Sequence, residues 1–326
     1  MRVIQFREAL REAMIEEMIK DDTIYLIGEE VGEYEGAYKV SQGMLKKFGS
    51  KRIIDTPISE SGFSGISIGS AMNGLKPIVE FMTFNFSLVA IDSIINSAAK
   101  IFQMSGGQFS IPIVFRGPTG SAGQLGAQHS QCFANWYANC PGLKVIVCSN
   151  PYDAKGLLKS SIIDPDPVIF MESETMYSDK AYVPEKEYYI DIGKAKIVKN
   201  GTDITIVGFG KILKNVYEAI TLTKDLNINV EVIDLRTIRP IDYNTVIQSV
   251  KKTGRLILIE ESWPLGNIST EIAFMIQKEA FDYIDHPIIR LNSPDVPMPY
   301  SNNLVKRYLP STNDVIKAFK KVMYLS

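Results

Sequence analysis

Residues 53–73 run Ile53-Ile54-Asp55-Thr56-Pro57-Ile58-Ser59-Glu60-Ser61-Gly62-Phe63-Ser64-Gly65-Ile66-Ser67-Ile68-Gly69-Ser70-Ala71-Met72-Asn73, and the architecture can be built outward from them. Ile53-Ile54 is a brief strand, and Pro57 bars an immediate helix. From Ser61 to Asn73 small and apolar residues alternate, with Gly62, Gly65 and Gly69 at helical spacing. Glycine costs about 1 kcal/mol against alanine inside a helix. Three on one side therefore predict a helix that something approaches very closely. A strand, a turn and a helix in this order are one unit of an open α/β sheet, whose ligands bind outside the carboxyl ends of the strands. Glu60 stands at that end. On local pattern alone it also reads as an acid complementing the amino end of the helix that follows.

The same rhythm extends in both directions. Phe6, Ala9, Leu10, Ala13, Met14 and Met18 recur at helical steps and predict an amphipathic first helix. A strand over Ile24–Ile27 follows, ending at Gly28-Glu29-Glu30. Downstream, KPIVEFMTF precedes a long helix near 86–104, and IPIVFR leads into a glycine-rich loop, 117–131. KVIVCS is followed by a helix through 153–163, and PVIFME is a last buried strand. Continuous apolar strands alternating with helices predict a mostly parallel, doubly wound sheet. Residues 173–200 lack periodicity and hold the connector, placed at 186–200 between a first domain, 1–185, and a second, 201–326. A second cycle begins at DITIVGFG, with helices at 211–225, 242–252, 267–280 and 312–323, giving a smaller α/β domain.

Composition narrows the function. A net charge of −2 with scattered Lys and Arg gives no footprint for nucleic acid. Cys132, Cys140 and Cys148 form no CxxC pair, so buried, reduced thiols are expected. No apolar run approaches the roughly 20 residues of a membrane span, since Asp92, Asn96 and Lys100 interrupt the best one, 88–102. The first 22 residues lack an apolar signal core and carry four glutamates, so a bacterial cytoplasmic protein, or a processed form from the mitochondrial matrix, is expected. Gly117–Gly126 lacks the GxxxxGK[ST] phosphate cradle, and Gly208-Phe209-Gly210 lacks the third glycine of a dinucleotide fingerprint. A nicotinamide-binding dehydrogenase is therefore disfavoured.

Five stretches occur in a specific order: DTPISE (55–60), EFMTFNFSLVAIDSIINSAAK (80–100), RGPTGSAGQLGAQHSQ (116–131), CPGLKVIV (140–147) and DAKGLLKSSIIDPDPV (153–168). IGKAKI, LRTIRP and DVPMPY follow in the second half. Together they resemble, end to end, the beta subunits of thiamine-diphosphate-dependent 2-oxo-acid dehydrogenases, most closely those of the pyruvate type.

The resemblance implies an N-terminal pyrimidine-binding domain and a transketolase C-terminal-like domain. It implies a coenzyme shared with an alpha subunit in an α2β2 heterotetramer, and an acyltransferase core subunit as second partner. The alpha chains of this family hold the diphosphate and Mg²⁺ through a GDG motif, which is missing here. By the same likeness Glu60 matches the glutamate that hydrogen-bonds the aminopyrimidine, Ile58, Met82 and Phe86 line its pocket, and Glu29 is a second active-site carboxylate. His129, in AQHSQ, matches an active-site histidine. Ile113, Ser161, Ile162, Asp164 and Asp166 match a potassium site, although Asp166 stands where relatives often carry asparagine. Asp285 matches the face that binds the acyltransferase, and His286 reads as surface. Two alternatives stay open: a beta subunit of a branched-chain 2-oxo-acid or acetoin dehydrogenase, and a non-catalytic assembly subunit.

Overall fold

The computed structural model describes residues 2–325, which form two large sheets and a two-stranded ribbon. Seven strands build the first: β2 (Ile24–Gly28), β3 (Ile53–Asp55), β4 (Lys76–Glu80), β5 (Val114–Pro118), β6 (Lys144–Val147), β7 (Val168–Glu172) and β12 (Thr237–Arg239). Their order is β12-β6-β7-β5-β4-β2-β3, with every pair parallel except β12–β6. The second sheet has the order β14-β13-β10-β11-β9, from β9 (Lys196–Lys199), β10 (Ile204–Gly208), β11 (Val230–Asp234), β13 (Leu256–Ile259) and β14 (Ile289–Leu291). Only β9 runs antiparallel. A small ribbon pairs β1 (Arg2–Gln5) with β8 (Lys180–Val183). The doubly wound α/β reading of both halves stands.

The apolar stripe of the first helix, Phe6–Lys20, is buried as its spacing requires. It packs with the helix Pro151–Ile163 over one face of the first sheet, in a core that includes Leu10, Met14, Leu157 and Phe170. Lys155 and Lys159 are fully buried between these helices and are neutralised by Glu12, Glu16, Glu17 and Glu187. The other face opens into a larger core that runs unbroken from Phe81 and Phe115 to Leu258 of the second sheet and Ile272 of the helix Ile268–Glu279. The two halves thus share one hydrophobic interior, and burial of such surface is the main favourable term in folding.

Three expectations change. The long helix near 86–104 is a tight three-residue-per-turn stretch, Phe84–Ala90, then a widened π turn, Ser93–Ala98, then a short α-helix, Ile101–Met104. The tight stretch turns Phe84 and Ser87 inward together, three residues apart, and Ser87 Oγ meets the Tyr137 hydroxyl at 2.6 Å. Lys196–Lys199, within the stretch read as connector, belongs to the second sheet, whereas Thr237–Arg239 crosses to the first. His286, read as surface, is buried, with Nδ1 2.7 Å from the Pro287 carbonyl and its ring edge-on to Tyr324. The three cysteines are free and buried, as expected. Among the described residues no helix is long and apolar enough to cross a membrane.

Candidate active site

Four neighbouring strands, β5-β4-β2-β3, end on one side of the first sheet, and each delivers a residue singled out from sequence. Glu29 follows β2, Ile58 and Glu60 follow β3, Met82 and Phe86 follow β4, and His129 lies in the loop after β5. Gly28 allows the convergence, because a Cβ there would sit 2.4 Å from the Glu80 carbonyl oxygen. Asp55 ties two of the ends together: its carboxylate accepts from the Gly32 N–H at 2.6 Å and the Glu33 N–H at 2.9 Å. The loop carrying Glu29 is thereby held against the turn that leads to Glu60.

Glu60 opens the helix Glu60–Met72 and is buried. Glu29 is buried beside it, and its pKa is pushed up to about 7, first by burial and then by the Glu60 charge. Two like charges this close cannot both ionise without cost, so Glu29 holds its proton up toward neutral pH. Oε1 of Glu29 is buried with no donor among the described residues. Phe86 and His129 meet edge to face with ring centroids 5.0 Å apart. Met82 is half-buried, whereas Ile58 is 82% exposed at the mouth. Gly65 and Gly69 face open space, and Ile66 between them is 69% exposed. Whatever approaches this helix closely is not part of the described chain.

Beneath the site lies a charge cluster that sequence reading missed. Arg116 stands at the middle of β5 as a fully buried guanidinium, donating twice to Glu172 at 2.6 Å and also to Glu80. Tyr177 adds a hydroxyl to Glu172 at 2.7 Å. Burial alone would lower the Arg116 pKa, and Glu172 and Glu80 more than reverse it, so the arginine stays charged. The cluster clamps β4, β5 and β7 together. Its one sequence signal is a charged residue near the close of each of three apolar strands.

The residues matched to a potassium site lie at the opposite end of the first sheet. Lys144 Nζ contacts both Asp164 oxygens, at 2.6 and 2.7 Å, and Asp166 at 3.0 Å. Ile113, Ser161 and Ile162 are buried, with the Ile113 carbonyl accepting from the Val168 N–H at 2.9 Å and the Ser161 carbonyl from the Asp164 N–H at 3.3 Å. Among the described residues no group of three or more His, Cys, Asp or Glu side chains could hold a metal ion. Asp285 is exposed on the second domain, 3.6 Å from Arg255.

A family model described as "Transketolase, pyrimidine binding domain" matches residues 2–180, and one described as "Transketolase, C-terminal domain" matches 193–315. A solved chain described as "Split gene transketolase, inactive beta4 tetramer" superposes with a TM-score of 0.81, covering 99% of each chain at 21% identity, which speaks for the fold alone. The class is transketolase-like. Among curated relatives, the pyruvate dehydrogenase E1 component subunit beta of Rhizobium meliloti is 53% identical over 325 residues, 99% of this chain and 71% of the relative. That of Rickettsia bellii is 54% identical over 322 residues, 99% of both chains. The mitochondrial subunit beta-2 of Oryza sativa is 51% identical, covering 98% of this chain and 86% of the relative. The chain belongs to the family of pyruvate dehydrogenase E1 component beta subunits.

Proposed function

We propose that this chain, with an alpha subunit in an α2β2 heterotetramer, decarboxylates pyruvate on thiamine diphosphate and reductively acetylates the lipoyl group of an acyltransferase core, leading to acetyl-CoA. The observation that carries this reading is the buried Glu29–Glu60 pair at the strand ends. Glu29, with its pKa pushed up to about 7 and its buried Oε1 without a donor among the described residues, stands beside Glu60, and a buried carboxyl in this state suits a protonatable ring nitrogen such as that of an aminopyrimidine. Once bound, thiamine diphosphate supplies the carbanion chemistry. Glu60 accepts a charge-assisted hydrogen bond from the ring and keeps the proton there. Glu29, whose own pKa is raised, would relay a proton toward Glu60. Ile58, Met82 and Phe86 flank the ring, and His129 donates to the substrate oxygen as charge develops.

The alpha chain takes the diphosphate and Mg²⁺, for which this sequence has no GDG motif. Its surface here is the helix face around Ile58, Gly65, Ile66 and Gly69. Asp285 contributes to an acidic rim for the acyltransferase, setting encounter rate and specificity. Potassium would rest on carbonyl oxygens, since the Asp164 and Asp166 carboxylates already meet Lys144. The setting is cytoplasmic.

Co-expression with the alpha chain, followed by assays with and without thiamine diphosphate, tests the reading. Turnover should need both, and should favour pyruvate over 2-oxoisovalerate. Turnover by this chain alone, or preference for the branched substrate, would overturn it. Full activity in an assembled Glu60→Ala enzyme would instead establish a purely structural subunit.

A further inference from the structure

We propose that Lys211 and Glu261 of the second domain are positioning residues for the loop that carries His129. The inference rests on the role given to His129 above. The loop is closed at its base: the Gly120 N–H donates to the Gln131 carbonyl at 2.9 Å, and the Gln131 N–H donates to Asn85 Oδ1 at 3.0 Å. Between these ties it is irregular except for a single turn, Ala127–His129, so its placement depends on outside contacts.

Those contacts come from the carboxyl ends of two second-sheet strands. Lys211, just beyond β10, donates to the carbonyl and the hydroxyl of Ser121 and pairs with Glu261 at 3.1 Å. An ammonium has three donors, and all three are thereby used. Glu261, just beyond β13, in turn packs on the loop backbone. A Cβ on Gly120 would lie 1.6 Å from Glu261 Oε1, and Gly120 also has φ +75°. This glycine is thus explained by the arrival of a carboxylate from the second domain and not by a phosphate. The side chains of Lys211 and Glu261 are only 11% and 12% exposed, so solvent screens the pair little. Gln124 Nε2 adds a weaker tie to the Tyr300 carbonyl at 3.4 Å.

The test uses the holoenzyme assembled with its alpha subunit, with histidine isotopically labelled in this chain alone. The chain has two histidines, so the buried His286 serves as an internal control for the His129 imidazole signal. In Lys211→Met the His129 signal should shift or broaden while that of His286 holds. Turnover should fall about 10–100-fold with KM for pyruvate nearly unchanged, as expected for a displaced reacting group. Lys211→Arg should recover most of the turnover. An unmoved His129 signal with full turnover in Lys211→Met would overturn the proposal, as would a rise in KM alone. If Lys211→Met fails to assemble, Ser121→Ala removes one acceptor only, and an unmoved signal there also overturns it. Full turnover in His129→Ala would reject the catalytic reading of that residue, while the imidazole signal would still decide the clamp.

Discussion

In the proposed function Glu29 and Glu60 divide one task between two acids, and both are buried. Glutamine at 60 keeps the shape and loses the charge. Turnover of assembled Glu60→Gln should fall by about 10²–10⁴-fold, measured as steady-state rate with assembly confirmed by light scattering. Glu29 gives a pH signature. Its folded pKa, about 7, lies above the usual 4.5 of a glutamate, so the native chain holds this proton more tightly than the unfolded one. That contribution to stability is complete below about 4.5 and is lost as pH rises through 7. Glu29→Gln should flatten this part of the stability curve, and urea melts between pH 4.5 and 8 showing an unchanged slope would refute the assignment. Arg116→Met should cost about 3–5 kcal/mol, because it leaves two carboxylates buried without their partner. Glu29, Glu60, Phe86 and His129 could be singled out because the resemblance to the family reaches their positions. Arg116 could not, since its partners lie 36 and 56 residues away in sequence, and Lys211 finds Ser121 90 residues away.

At the scale of elements, the helix Glu60–Met72 carries two glycines, Gly65 and Gly69, that cost it stability and meet nothing within the described chain. Gly69→Leu should therefore stabilise the isolated chain by up to about 1 kcal/mol and yet block assembly with the alpha subunit. A thermal melt and a sizing column read the two effects, and normal assembly would dismiss the interface. The buried strands were legible in sequence because continuous apolar runs bounded by turns have few other readings. The segment 84–104 was not, because apolar spacing does not separate tight, regular and widened turns when all three bury one side. The strand Thr237–Arg239 was hidden for another reason. With three residues, it owes its place to the sheet it joins.

At the scale of the whole chain, one hydrophobic interior joins both sheets, and a single cooperative transition is expected. Trp136 and Trp263 report on the two halves, with Phe133 in contact with both rings. Single-tryptophan variants, Trp136→Phe and Trp263→Phe, should give coincident urea midpoints, and separated midpoints would mean independent halves. The strand Thr237–Arg239 has a related consequence. It closes the outer edge of β6, so a fragment stopping at residue 185 would leave that edge bare, and bare edges recruit neighbours. Such a fragment should stick to copies of itself until the missing half is supplied, and the two pieces should then reunite into one particle.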